Sequence, residues 1–278
     1  MEQMLLLYLE CMTMELTFLG TGTSQGIPLI GCECEVCQSQ DRRDKRMRTS
    51  AMVSLDGHNL LIDATPELRL QCLANDIKRV DACLITHAHA DHIFGLDDLR
   101  RFNQLQGEPI PVYVSKEHRP RLETMFAYAL AEKARGNPDL PQLMFRTFEP
   151  NESFALFDKE IQPLWLPHGD EMVVGYRIGG MAYCTDVSGM PEEMMGRLEG
   201  LDVLVLGALR PKAHPKHLSL DQAIELAERI GARQTYFVHM GHQIGHQKQG
   251  KLLPEGIKLA CDGLKITIPE PNQRANLA

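Results

Sequence analysis

The chain lacks any apolar run near the ~20 residues a membrane-spanning helix needs. The nearest, residues 4–9, is not preceded by the cationic segment of a secretory signal. Net positive charge is missing too. With 29 Lys and Arg against 37 Asp and Glu, the formal charge of −8 argues against a broad footprint for nucleic acid or an anionic membrane. A disulfide framework is also absent. Of eight cysteines, three crowd into Cys32-x-Cys34-x-x-Cys37 and the other five are scattered. That pattern is one metal clip plus buried thiols in a reducing, cytoplasmic compartment. What remains is a globular composition, 44% hydrophobic and 24% charged over 278 residues, enough for one sizeable core. Residues 1–13 read as an N-terminal extension, residues 14–278 as a single domain, and the tail after Pro269 as polar and loose.

The most informative stretch is Thr86-His87-Ala88-His89-Ala90-Asp91-His92, which follows the apolar residues 82–85. Imidazole and carboxylate are the ligands that borderline divalent metals prefer. If residues 82–86 form a buried strand, a two-residue extended step places His87 and His89 on one side, where they can share an ion. A helix opening at Ala90 then presents Asp91 and His92 together to a second ion. The pattern predicts a dinuclear site.

Other segments carry further expectations. Residues 15–19 read as a strand running into Gly20-Thr21-Gly22, a loop that either approaches a substrate or is a plain turn. The loop 31–38 offers three thiolates of a tetrahedral zinc site and lacks a local fourth ligand, which a distant histidine would supply. The basic run 42–48 reads as a solvated turn. Residues 51–55 and 59–62 read as a hairpin, and Asp63 beyond it either orients a metal-bound histidine or caps a helix over 66–75, with Thr65 competing for the cap. Residues 116–135 form the longest helical pattern, a candidate cleft lid or homodimer surface. His168, Asp186 and His239 each end an apolar strand pattern. Arg210, Lys212 and His217 lie in a cationic loop before a helix over 219–230, capped by Ser219 or Asp221. Arg210 and Lys212 are candidate phosphate-holding cations, with a solvated loop as the alternative.

The heptad resembles the signature of the metallo-β-lactamase superfamily, an α/β fold of four layers, αββα. The Cys-x-Cys-x-x-Cys loop and His239-x-x-His242 narrow the resemblance to the phosphodiesterases of the carbon–phosphorus lyase pathway, which open 5-phosphoribosyl 1,2-cyclic phosphate. That resemblance implies one metal on His87, His89 and His168, another on Asp91, His92 and His239, and Asp186 bridging both. It further implies a structural zinc on Cys32, Cys34, Cys37 and His242, and His217 beside the leaving oxygen.

The implied chemistry is metal-dependent hydrolysis of a small phosphodiester. Two divalent ions lower the pKa of water from about 15.7 to roughly 7, so that a hydroxide between them attacks phosphorus. A protonated His217 then acts as general acid, with Asp91 and Asp186 holding the ions. The ligand set suits Zn²⁺, Mn²⁺ or Fe²⁺. Two rival readings are a transfer-RNA 3′-end endonuclease, opposed by the negative charge and the lack of a long basic, Gly-rich arm, and a non-catalytic metal-binding module.

Overall fold

The central strands are apolar at nearly every position, so both of their faces must be covered, and that sets the layers. The computed structural model describes residues 13–269; residues 1–12 of the expected extension and the tail beyond Pro269 lie outside the described residues. Six strands come first: β1 (Thr13–Gly20), β2 (Ser50–Leu55), β3 (His58–Ile62), β4 (Ala82–Leu84), β5 (Ile110–Ser115) and β6 (Leu143–Phe148). Then follow β7 (Phe154–Leu156), β8 (Lys159–His168), β9 (Glu171–Ile178), β10 (Met181–Cys184), β11 (Val203–Gly207), β12 (Gln234–Val238) and β13 (Ile257–Leu259), and β14 (Lys265–Pro269) returns to the first sheet.

The two seven-stranded sheets run β14-β1-β2-β3-β4-β5-β6 and β13-β12-β11-β10-β9-β8-β7. Each is antiparallel at one end and parallel at the other: β3 to β6 in the first sheet, β10 to β13 in the second. Parallel strands point their carboxyl ends to one edge, where loops can converge on a ligand.

Leu60, Ile62, Ala82 and Leu84 face Tyr176, Tyr183, Val205 and Val238 between the sheets. Their neighbours Leu61 and Cys83 face outward against Leu68, Leu99 and Phe102. On the other side, Leu204, Leu206 and Phe237 meet Ala223, Leu226 and Ala227 of the helix Leu220–Ile230. Three apolar layers separate four structural ones, the αββα arrangement. Two bonds join the sheets beside the heptad: Val174 N–H donates to Thr86 O (2.8 Å) and the Tyr176 hydroxyl to Ile85 O (2.6 Å).

Local expectations met several corrections. The pattern over 116–135 is not one helix. It divides into Arg119–Met125 and Ala131–Ala134, starting late because Pro120 suits only a first turn and breaking because Leu130 pairs with Leu143 at the head of β6. Ser219, not Asp221, caps the Leu220–Ile230 helix, in a reciprocal capping box with Gln222. Neither Asp63 nor Thr65 caps the helix Leu68–Ala74, whose N-cap is Glu67 without a side-chain bond. The basic run 42–48 is not wholly solvated. Arg46 is buried, and its guanidinium donates to Asp44 and to the carbonyls of Gly241 and Ile244, fixing the 241–244 loop. A Cβ at Gly20 would lie 2.0 Å from Arg48 O, so this glycine lets protein backbone approach.

Candidate metal centre and its surroundings

The heptad leaves β4 at the sheet edge. Its short helix Ala90–Ile93 sets Asp91 Oδ2 at 3.3 Å from His92 Nε2, while His87 Nε2 and His89 Nδ1 stand 2.8 Å apart. Ligand atoms of His87, His89 and His168 lie within 4.8 Å of one another, and so do those of Asp91, His92, Asp186 and His239. His168 ends β8, Asp186 follows β10 and His239 follows β12. Asp63, Asp186 and His239 have φ of +61°, +59° and +57°. This left-handed conformation is uncommon for residues with a side chain, and it concentrates where a scaffold over-determines a site.

Hydrogen bonds decide which nitrogen each imidazole presents. Asp63 accepts from Thr86 N (2.8 Å), from the Thr86 hydroxyl (2.8 Å) and from His92 Nδ1 (2.6 Å), which leaves His92 Nε2 as the lone pair toward the site. Since the Thr86 hydroxyl gives its proton to Asp63, its oxygen accepts from His87 Nδ1 (3.0 Å), freeing His87 Nε2. His168 Nδ1 donates to Lys216 O at 2.8 Å, freeing its Nε2. The Thr185 hydroxyl holds Asp186 Oδ1 at 2.6 Å, leaving Oδ2 toward the imidazoles. Asp63 therefore orients histidines of both groups rather than capping a helix.

The chain's own groups leave this cluster incomplete. Among the described residues, His92 Nε2 and both ring nitrogens of His239 are buried without a hydrogen-bond partner, a cost a native fold rarely carries unless an ion takes the lone pair each ring offers. The residues fit divalent metal ions. Burial by itself raises Asp186, and the imidazoles of His239 and His92 outweigh it, holding the carboxyl well below its ordinary range. Burial pushes His217 down to about 3 against the pull of Asp186. Its Nδ1 lies 4.0 Å from Asp186 Oδ2, and its ring stacks on His239 at 4.9 Å.

The Arg210 guanidinium is hooked onto the carbonyls of Lys212 and Ala213 in its own loop, and Lys212 is exposed. Of the residues around the ligands, sequence reading overlooked Thr86, Glu171 and Lys216. For Glu171 a signal was available: Gly169-Asp170 is a two-residue hairpin connection, which pairs residue 171 with His168.

A second group joins the two ends of the fold. His242 Nδ1 lies 3.2, 3.4 and 3.9 Å from the sulfurs of Cys32, Cys34 and Cys37. A tetrahedral ion with ligands at about 2.0–2.3 Å needs ligand atoms roughly 3.5 Å apart, so the four fit zinc. The Cys37 N–H points at Cys34 and lowers its thiol to about 7, near the thiolate a metal requires, whereas burial raises Cys37 to about 11.

Comparison with known proteins agrees with this geometry. The family model for a beta-lactamase superfamily domain matches residues 58–240. The solved structure of a new diphosphatase from the PhnP family superposes with a TM-score of 0.87 at 41% identity, covering 93% of this chain and 98% of that one. A protein of Porphyromonas gingivalis (strain ATCC BAA-308 / W83) named octanoyltransferase is 36% identical over 264 residues, 94% of this chain but only 53% of its own length. This chain thus spans about half of that relative. A ribonuclease Z of Anoxybacillus flavithermus is 26% identical over 87% of this chain and 91% of its own. With a three-histidine group beside a histidine–carboxylate group at the edge of two facing sheets, the chain belongs to the metallo-β-lactamase superfamily, as a PhnP-like, metal-dependent hydrolase.

Proposed function

We propose that the chain is a dinuclear phosphodiesterase acting on a small cyclic phosphate or phosphodiester. One observation carries this reading: Asp186 Oδ2 stands 3.3 Å from His239 Nε2 and 3.5 Å from His92 Nε2 in one group, and 4.0 Å from His87 Nε2 in the other. A carboxylate within reach of both ligand groups would let Asp186 serve two cations. His87, His89 and His168 would hold one ion, and Asp91, His92 and His239 the other. Bound there, divalent ions supply positive charge and a water acidified to a pKa of roughly 7.

The chain's own residues bind and orient. Only two of the ligands, Asp91 and Asp186, carry negative charge, so the loaded site keeps a positive balance that draws in an anionic diester. His87, His92, Asp186 and His239 are buried, so their charges and dipoles would act on a bound anion with little screening by water. His217 would act as general acid once the negative charge of a bound diester raises its pKa and protonates the ring, which burial otherwise holds neutral; its proton would then pass to the leaving oxygen as the P–O bond breaks, a contribution of about 10²–10⁴ in rate. Likeness to a diphosphatase supports phosphorus as the centre attacked. Imidazole and carboxylate suit Zn²⁺ or Mn²⁺, and the thiolates select zinc for the clip.

Likeness to a ribonuclease Z favours a second reading, RNA 3′-end cleavage. The net charge of −8 opposes it, and steep salt dependence of RNA binding would revive it. The deciding experiment measures metal per chain and hydrolysis of bis(p-nitrophenyl) phosphate for wild type and Asp186→Ala. Two ions beyond the clip zinc, with turnover lost in the variant, are expected. Zinc in the clip alone, and no turnover after Mn²⁺ or Zn²⁺ loading, would refute the proposal.

A further inference from the structure

Partners are in place for three of the ligand histidines: Asp63 fixes His92 directly and His87 through Thr86, and Lys216 O fixes His168. His89 is different. It opens the Ala90–Ile93 helix with no cap bond, its side chain is 29% exposed, and among the described residues nothing from the first sheet reaches its outer nitrogen. The atom that does is Glu171 Oε2, 2.9 Å from His89 Nε2.

We propose that Glu171 is a positioning residue that holds His89 in the tautomer turning Nδ1 toward His87 and His168, with Lys216 clamping the carboxylate from its other side. A carboxylate only accepts, so the proton sits on Nε2 and the lone pair on Nδ1, the nitrogen 2.8 Å from His87 Nε2. Strand register delivers the group. His168 and Glu171 are directly paired across the β8–β9 turn, and cross-strand partners project from the same face, so a side chain at 171 must stand beside a ligand histidine.

Lys216 completes the arrangement. Its Nζ lies 3.5 Å from Glu171 Oε1 while its carbonyl holds His168, so one residue reaches His168 directly and His89 through Glu171. Gly169 makes room for it. At φ +63°, a Cβ there would meet Lys216 Cγ at 2.7 Å, so the turn both needs glycine and admits the lysine stem.

This inference rests on the dinuclear reading, and its test separates the two. Wild type, E171A and E171Q are titrated with zinc against a chromophoric chelator, and the imidazole N–H protons of the loaded proteins are followed by NMR. E171A should weaken one zinc site about tenfold, the low end of the usual 10–100-fold range because water reaches this half-exposed position, and should lose the His89 Nε2–H signal. E171Q should keep both, since the amide oxygen still accepts. At saturating zinc, E171A should recover wild-type kcat. Unchanged zinc affinity in E171A would overturn the proposal, and so would a kcat that stays low at full occupancy, which would make Glu171 a catalytic group. A wild type that binds zinc only at the clip overturns the dinuclear reading itself.

Discussion

Asp63→Asn is the sharpest perturbation the structure offers, because it changes one oxygen of a carboxylate that organises both ligand groups. Asparagine tolerates the left-handed backbone at this position, where φ is +61°. Its oxygen must face Thr86 N–H, a donor that cannot rotate away. The amide nitrogen then replaces Oδ2, the atom that accepts from the Thr86 hydroxyl and, at 2.6 Å, from His92 Nδ1. An amide N–H cannot accept, so His92 must move its proton to Nε2, blocking the lone pair that faces the site. The Thr86 hydroxyl, now receiving the amide N–H, is free to donate to His87 Nδ1, with the same result for His87.

Loss of one orienting partner costs about 10–100-fold in metal affinity or activity, and here two ligands turn together, so the upper end is expected. Stability should change little, by roughly 1–2 kcal/mol, since neutral bonds replace charge-assisted ones while a buried charge is removed. Asp63→Ala, by contrast, strands three donors and should lose about 3 kcal/mol or more. Zinc and manganese retained after dialysis, diester hydrolysis and thermal melting test both. Wild-type metal retention in the asparagine variant would refute the tautomer logic, and a melting loss as large as that of the alanine variant would make Asp63 a packing residue instead.

Cys34→Ser should remove the clip zinc and lower the melting temperature by roughly 5–10 °C, as about 3 kcal/mol does for a chain of this size, with kcat nearly unchanged; equal zinc and equal melting for both proteins would sink this. A pH effect follows from Asp262, which accepts from Thr21 Oγ1 and Met47 N, each at 2.7 Å. Burial raises this carboxyl to about 6 despite those bonds. Its contribution to stability is therefore complete below the unfolded value near 4 and is lost as pH rises through about 6, so the stability of wild type relative to Asp262→Asn should fall between pH 4.5 and 7, by up to roughly 2–3 kcal/mol. Urea unfolding of both proteins across that range is the check, and a pH-independent difference would contradict it.

The candidate-ligand cluster of the heptad and the layered fold were legible in local sequence. His87, His89, Asp91 and His92 sit within six residues, where chain geometry alone forces proximity, and the continuous apolar runs 60–62 and 82–84 mark strands buried on both faces. The Ser219-x-x-Gln222 spacing of a capping box could have separated Ser219 from Asp221 as the cap. Such signals are local, so no distant partner is needed to read them.

Features that depend on separated segments were settled by their assembly in space. Asp63 could cap a helix or orient a histidine until β3 and β4 paired and set it against Thr86 and His92. The helical periodicity of residues 116–135 gave way where Leu130 found Leu143. Arg46, in a run that reads as solvated, is buried because carbonyls of Gly241 and Ile244, nearly 200 residues on, come to meet it. Glu171 became visible as a partner of His89 through a contact that spans 82 residues of chain and the gap between two sheets. Hydrogen-bond geometry, and with it the nitrogen each histidine presents, exists only once those segments are assembled.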